Sequence, residues 1–484
     1  MTSTPSRVRP SDGPAVAVSV DAAVAPGASL VVCGDVGSTY TKVAVVDVTT
    51  GRLVATAAHP TTIATDVLDG LSAALDAVAP ELPGADLSEI RLCSSAGGGL
   101  RLAVVGYESL VTAEAGHRVG LSAGARVVHV ATGKLTTAAL GELCVAWFDV
   151  ILFVGGTDGG DAEVLLHNAG RLASARVRVP IVVAGNTEAR DEVCGLLDAR
   201  GARFVATDNV LPRIGVLNPV PARAAIRSVF LTHVIGGKKL SRGRLGGRRF
   251  VDLVRGATPD LVLTGVEALA DDLGTDLVVV DIGGATTDVY SVLTPDPEQF
   301  TGPRAEVAGT LWRSRTVEGD LGMRWSAAGV IAAAAVERVP VSPLPVDEGL
   351  EMAASRRVAD PAFLPASDIE RAEDLRIAEL AAIVALRRHA RGEPGGAPRK
   401  DLRDVRLVIG SGGVLRHAEP AGAASVLAGP LHDLAGGWPL PRHADTVVDV
   451  AYVLAAAGLL AGDFPDASRQ LLHNELLSVG DRAR

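Results

Sequence analysis

Apolar residues in this chain fall into short runs, closed repeatedly by Gly, Asp or Asn. Leu30–Cys33 is followed by Gly34, Asp35 and Gly37. Lys42–Val48 comes next, then a Thr49–Gly51 turn and Leu53–Ala58. Runs of this length with turn residues between them predict a three-stranded meander. The period changes at Thr61–Val78, where Val67, Leu68, Leu71 and Leu75 share one helical face. Ile90–Ser94 predicts a further strand, running into Ala96–Gly99.

The middle of the chain alternates. Strands are predicted at Asp149–Val154, ending in Gly155–Gly160, at Val179–Ala184, ending in Gly185–Asn186, and at Ala202–Ala206. Helices are predicted between them at Val164–Leu172 and Glu188–Leu197. Strand–glycine–helix alternation of this kind predicts a parallel α/β unit. The opening layout then returns. A helix at Val266–Leu273 precedes strand Leu277–Ile282, the turn GGATTD and strand Val289–Val292. Helical spacing follows at Asp368–Arg388, then a Gly/Pro-rich loop at Arg391–Lys400. Strand Val405–Ile409 runs into Gly410, Ser411, Gly412 and Gly413, and the nearly all-apolar Ala444–Leu460 predicts a C-terminal helix.

A chain of 484 residues exceeds one ordinary core, so two or more domains are expected. Its first 29 residues are rich in Pro, Ser and Ala and lack the apolar stretch of a secretory signal, which predicts a disordered arm. No apolar run approaches the roughly 20 residues of a membrane span, and a cytoplasmic location is expected. With 46 basic and 56 acidic residues the net charge is -10, which argues against a nucleic-acid partner. The basic run Gly236–Arg249 reads as a solvated loop or as a docking surface for an acidic or phosphorylated group. Cys33, Cys93, Cys144 and Cys194 form no CxxC pair, so no zinc or disulfide framework is implied.

Three Gly-rich turns carry the candidate chemistry. The first is Gly34-Asp35-Val36-Gly37-Ser38-Thr39-Tyr40-Thr41-Lys42, the second Asp281-Ile282-Gly283-Gly284-Ala285-Thr286-Thr287-Asp288. Each follows a buried strand and turns into another. Such a hairpin presents backbone N–H groups and hydroxyls to a polyphosphate, and glycine allows close approach. Strand-end aspartates can hold Mg²⁺ through its waters or orient an attacking water. One hairpin alone reads as well as a plain turn; two in the same context point to phosphate. The third turn, Gly410-Ser411-Gly412-Gly413, opens a helix and suits a nucleoside or phosphate at the helix N-terminus. Lys42 faces either phosphate or solvent. Gly155–Asp161 reads as a strand-end turn or as a second anion or partner site. His233 and His417 have no partner at ligand spacing.

In this order the three turns resemble the phosphate-1, phosphate-2 and adenosine motifs of the actin, sugar-kinase and heat-shock-chaperone superfamily. Within it, GDVGSTYTK (34–42), SSAGGGLR (94–101), FVGGTDGGD (153–161), VVAGN (182–186), DIGGATTDVYS (281–291) and IGSGGVLRH (409–417) are similar to the MutL family. These are accessory proteins of adenosylcobalamin-dependent glutamate (methylaspartate) mutase, unrelated to the mismatch-repair protein of the same name. The resemblance spans most of residues 30–460.

The resemblance implies an α/β protein of duplicated actin-like (ribonuclease H-like) ATPase lobes, with ATP and Mg²⁺ as cofactors. Residues 30–100 would form the first lobe and 261–484 the second. An inserted α/β region would occupy 101–260, part of it open to completing the first lobe. Asp35 and Asp281 match metal- and water-orienting aspartates. Gly37, Ser38 and Thr39, with Lys42, match the first phosphate hairpin. Gly283, Gly284, Thr286 and Thr287, closed by Asp288, match the second, and Gly410, Gly412 and Gly413 match the adenosine loop. Glu267 stands near the place of the chaperones' connecting-helix acid at a different spacing, and otherwise reads as a solvated helix acid. The implied function is ATP-dependent service of a cobalamin-dependent mutase, through slow turnover. A small-molecule kinase is the alternative, although no base for a substrate hydroxyl stands out. A nucleotide-switched assembly protein without significant turnover is the third reading.

Overall fold

The computed structural model describes residues 16–20, 27–37, 39–96, 100–107, 112–122, 125–235, 240–294, 313–340, 347–391 and 400–477. Ser38 lies outside them, as do Gly97–Gly99 and most of the 391–400 loop.

The first sheet contains β1 (Val16–Val20), β2 (Leu30–Val36), β3 (Tyr40–Asp47), β4 (Arg52–Pro60) and β5 (Ile90–Ser94). Strands β2, β3 and β4 form the expected antiparallel meander, and β5 lies parallel to β2. Helix Val67–Val78 covers one face. It starts later than the apolar spacing predicts because the Asp66 carboxylate accepts from Leu68 N–H at 2.9 Å and caps it. The N-terminal arm is not wholly without structure, since β1 pairs antiparallel with β4.

The inserted sheet contains β6 (Arg101–Gly106), β7 (Arg126–Thr132), β8 (Val150–Phe153), β9 (Ile181–Val183) and β10 (Phe204–Ala206). All its pairings are parallel, in the order β10-β9-β8-β6-β7. Strands β6 and β7 were not expected. The Gly155–Asp161 segment is a strand-end turn closed by its own neighbours. Asn186 Nδ2 donates to the Gly160 carbonyl at 2.9 Å, Asn209 Nδ2 to that of Gly156 at 3.0 Å, and Thr187 N–H to Asp158 at 2.9 Å. A small hairpin, β11 (Arg244–Leu245) with β12 (Arg248–Arg249), occupies part of the basic run. Residues 236–239 of that run lie outside the described residues; the rest is largely exposed, with the N–H groups of Arg242 and Gly243 donating to Asp66 and Arg249 paired with Asp252 at 2.7 Å.

Strand β13 (Val254–Ala257) then returns to the first sheet beside β5, giving the order β1-β4-β3-β2-β5-β13. The last sheet contains β14 (Leu277–Ile282), β15 (Thr287–Val292), β16 (Arg313–Glu318), β17 (Leu407–Ser411) and β18 (Asp445–Val448), in the order β16-β15-β14-β17-β18. Setting β1 aside, both sheets have one plan: an antiparallel meander whose first strand continues into two parallel strands. The fold is therefore a duplicated α/β architecture. The expected helix Ala444–Leu460 is corrected. It begins as strand β18, turns at Asp449–Tyr452, and becomes helical only at Val453–Leu460. Its apolar run hides the boundary because Val447 and Val448 lead through Asp449–Tyr452 into the apolar helix with no glycine or proline between them.

Strand β2 buries both faces. Leu30, Val32 and Val36 face the core of the first lobe, while Val31 and Cys33 face a core shared with Val279, Tyr290 and Ile409 of the second. Burial on both faces explains why these strands read as unbroken apolar runs. Two helices, Thr258–Leu273 and Val453–Leu460, cross within the shared core. A Cβ on Gly265 would strike the Leu454 carbonyl oxygen, and one on Gly458 would strike that of Leu261. The two backbones are thus in direct contact, each glycine admitting the other helix.

Gly458→Ala should therefore destabilise the protein by about 1–3 kcal/mol or more, because the obstacle is backbone and cannot rotate away. Gly170→Ala, at an open position of helix Glu163–Ser174, should stabilise by up to about 1 kcal/mol. Urea unfolding midpoints measure both; equal behaviour of the two variants would refute the close-packing account.

Candidate nucleotide cleft

The two hairpins are built in the same register. Asp35 lies opposite Lys42 on β2 and β3, and Asp281 lies opposite Asp288 on β14 and β15. Gly37 N–H donates to the Tyr40 carbonyl at 3.0 Å, and Gly283 N–H to the Thr286 carbonyl at 2.9 Å. Each turn leaves its tip toward solvent, with Thr39 on the first and Gly284 on the second exposed. The second tip is braced from behind. Met323 N–H donates to the Gly283 carbonyl, and Arg324 and Trp325 N–H to that of Gly284, at 2.8–3.0 Å. Thr287 is fully buried, and its hydroxyl donates to the Leu321 carbonyl at 2.5 Å. It braces the hairpin and does not offer its hydroxyl to a ligand, contrary to the sequence expectation. Thr286 remains on the partly exposed side.

The third turn docks against the second hairpin. Strand β17 runs parallel to β14 with Ser411 beside Asp281. Gly412 has φ 105°, and a Cβ there would collide with the Ile282 backbone. Only glycine satisfies both demands. Gly413 is open and begins the short helix Gly413–Arg416. Gly410 is glycine for another reason. It packs against Leu415 and Leu427, and its carbonyl accepts from Asp449 N–H at 2.8 Å.

One cavity collects the candidate side chains, with Asp35 and Lys42 from the first lobe and Asp281, Ser411 and Arg416 from the second. The Asp35 carboxylate accepts from Thr258 Oγ at 2.6 Å and from the Cys93 thiol at 3.5 Å. Burial and then the neighbouring Asp288 push the Asp281 carboxyl up to about 6, against the pull of Lys42 and a hydrogen bond from Ser411. Burial also raises Asp288, although Arg315 pairs with it at 3.1 Å. Lys42 does not point to solvent. Its ammonium lies 3.6 Å from the centre of the Tyr452 ring. Burial opposes its charge, but Tyr452, Asp35 and Asp281 outweigh burial and raise its pKa.

Sequence reading missed Thr258, Arg416, Asp449 and Tyr452. Thr258 is the first residue of the interlobe helix and reaches Asp35 from there. Glu267, the acid singled out earlier, sits further along the same helix. It is buried and paired with Arg223 at 3.0 Å and Arg313 at 3.3 Å, so it is neither solvated nor in the cleft. Arg416 stood inside a quoted motif; Asp449 and Tyr452 had no signal, because they lie in a turn hidden within an apolar run.

Among the described residues no three His, Cys, Asp or Glu side chains converge closely enough to hold a metal by themselves. Three acids line the cavity, and of these Asp449 already accepts from Val453 and Leu454 N–H, which leaves Asp35 and Asp281 as the oxygen donors facing it. That set suits Mg²⁺, which keeps most of its waters and takes phosphate oxygens, better than a metal caged by protein.

Two sheets of one plan, whose matching hairpins bring Asp35 and Asp281 to one cavity, define an α/β fold of the actin-like type. The MutL protein family model matches residues 31–476, and the chain belongs to that family. It is 36% identical over 465 residues to Protein MutL of Clostridium tetanomorphum, covering 92% of this chain and 98% of that protein. Solved structures similar to it include nucleotide-free acetone carboxylase, at 18% identity and TM-score 0.39, covering 90% of this chain and 71% of that one. A glycerol dehydratase reactivase matches at 12% identity and TM-score 0.32, covering 89% and 99% of the two chains. Gluconate kinase from Lactobacillus acidophilus matches at 11% identity and TM-score 0.33, covering 93% and 92%. No helix among the described residues is long and apolar enough to cross a membrane.

The raised Asp281 pKa makes a stability prediction. The folded carboxyl titrates at about 6, against about 3.8 for the unfolded chain. The folded state therefore holds the proton more tightly, and the penalty for ionising Asp281 develops as pH rises from about 4 to about 6. Asp281→Asn should be more stable than the parent at pH 8, by up to about 3 kcal/mol, and equal to it at pH 4. Thermal melts at the two pH values test this; a gain that persists at pH 4 would point to packing instead.

Proposed function

We propose that the protein binds Mg²⁺ and ATP between its lobes, hydrolyses ATP slowly, and uses the cycle to service an adenosylcobalamin-dependent mutase of the glutamate (methylaspartate) type. The observation that carries the nucleotide reading is the matched register of the two hairpins, whose aspartates meet in one cavity together with Ser411 and Arg416 beside the third glycine loop. On this reading the turns at Gly37–Thr39 and Gly283–Thr286 grip phosphates through backbone N–H groups. Gly412 and Gly413 admit the nucleoside. When bound, Mg²⁺ supplies charge neutralisation at the phosphate oxygens.

Asp35 and Asp281 would hold that ion. Asp281 also orients the attacking water and accepts its proton. Thr258 fixes the Asp35 carboxylate, and Lys42 neutralises charge between the two aspartates. Closing the lobes on ATP and reopening them after hydrolysis would change affinity for the mutase. The mutase reading rests on membership of the MutL family and on the six motif stretches. The chain contains no Asp-x-His-x-x-Gly signature, so the cobalamin would be held by the partner.

Titration calorimetry should show ATP binding that strengthens with Mg²⁺. Asp281→Ala should abolish turnover and leave binding measurable, because the backbone does the gripping. Wild-type turnover in that variant would remove Asp281 from the catalytic role. Phosphate transfer to a small acceptor in place of release would favour a kinase.

The partner is tested with a mutase that has been inactivated with damaged cofactor in place. Adding this protein, ATP, Mg²⁺ and fresh adenosylcobalamin should restore activity, and Asp281→Ala should not. A coupling of about 1.4 kcal/mol between nucleotide and mutase would change the affinity tenfold. Association without recovery would favour an assembly role, and no association in either nucleotide state would sink the mutase reading.

A further inference from the structure

Tyr452 is held in an unusual way. It is a non-glycine residue with φ 56° and ψ 39°, the left-handed region that tyrosine rarely adopts. The turn that imposes this conformation is fixed at both ends. Asp449 N–H donates to the Gly410 carbonyl at 2.8 Å, and the Asp449 carboxylate accepts from Val453 and Leu454 N–H at 2.8 and 3.2 Å. The helix Val453–Leu460 begins immediately afterwards, locked into the interlobe crossing by Gly458. Strain of this kind persists only where the surroundings overdetermine it, and it gathers at functional sites.

The ring meets two cations from different lobes. Lys42 Nζ, on β3, lies 3.6 Å from its centre, and Arg416 Cζ, at the end of the Gly413–Arg416 helix, lies 4.7 Å from it. The two cations are close enough for Arg416 to oppose the charge on Lys42. Like charges are brought together here around the face of one aromatic ring, which attracts both. Through that ring the phosphate-side hairpin of the first lobe and the glycine loop of the second share one side chain. A helix start alone would need neither an aromatic ring nor a left-handed residue.

Building on the nucleotide reading above, we infer that Tyr452 is a positioning residue for ATP hydrolysis, holding Lys42 and Arg416 as a cation pair presented jointly by the two lobes. It acts through those cations and not on the reacting atoms. It makes the placement of Lys42 between the two aspartates depend on the second lobe being in place.

The test uses Tyr452→Asn, Tyr452→Phe and Lys42→Met in the full-length protein. Asparagine tolerates the left-handed backbone, so Tyr452→Asn should stay folded, as a thermal melt checks, while losing the ring. Its kcat for ATP hydrolysis should fall at least tenfold with less than a threefold change in KM. Tyr452→Phe keeps the ring and should stay within about threefold of the parent in both constants. Lys42→Met should cost little more in the Tyr452→Asn background, because the lysine has already lost its placement. Wild-type kcat in Tyr452→Asn, or losses from Lys42→Met and Tyr452→Asn that multiply independently, would overturn this inference while leaving the nucleotide reading intact. Failure of the parent protein to bind ATP would overturn both.

Discussion

The reciprocal contact of two glycines, Gly265 and Gly458, is the constraint on which the cleft depends. It lets the helices Thr258–Leu273 and Val453–Leu460 cross backbone against backbone in the core shared by both lobes. Each helix begins beside the cleft. The first starts at Thr258, whose hydroxyl meets Asp35. The second starts after Asp449 and Tyr452, which bring the ring to Lys42 and Arg416. A larger residue at either crossing point would push both helix starts outward, and with them the groups that hold the first aspartate and the two cations. The geometry of the polar site is thus tied to a backbone contact between the two helices that line one side of it.

Within the cleft, charge is balanced imperfectly. Asp281 and Asp288 are cross-strand partners, so hairpin register alone places two carboxylates side by side. Like charges directly opposite on a ladder are unfavourable. Arg315 offsets this at Asp288, whereas Asp281 has only the pull of Lys42 and a hydrogen bond from Ser411, and its carboxyl is pushed up to about 6. The first hairpin carries Lys42 where the second carries Asp288. The duplicated plan is thus asymmetric in charge, with a cation facing one aspartate and an acid facing the other. On the proposed reading this asymmetry divides the labour, with Asp281 accepting a proton and Lys42 neutralising anionic charge.

The pattern of apolar runs and glycines was enough to read the meanders, the repeated layout and the three glycine turns. Those features are local, since the turn residues adjoin the strands they end. What was not legible depended on distance in the sequence. Thr258 is 223 residues from Asp35, and only the return of β13 to the first sheet brings it there. Glu267 drew attention as a helix acid, yet its burial depends on Arg223 and Arg313, from two other parts of the chain. Thr287 fits a phosphate motif by type, but alternation along β15 turns it into the core. The Asp449–Tyr452 turn was invisible because it carries no glycine or proline and runs from Val447 and Val448 straight into the apolar Val453–Leu460 helix.

The same ion pairs that misled the reading of Glu267 connect the inserted sheet to the cleft. Arg223 and Arg227 come from helix Pro219–Val229, which follows the last strand of that sheet. Arg227 Nε donates to Asp260 at 2.5 Å, and Arg223 reaches both Glu267 and, at 3.8 Å, Asp260. Both acids sit on the Thr258–Leu273 helix, Asp260 two residues beyond the threonine that holds Asp35. Arg313 on β16 joins from the second lobe through Glu267. These carboxylates are almost wholly buried, and separating a buried pair leaves an uncompensated charge at a cost of several kcal/mol. The interlobe helix therefore cannot shift freely against the inserted region, since movement of one must carry the other or break the pairs. A protein seated on the inserted sheet would thus have a stiff connection to the helix that starts at the first aspartate.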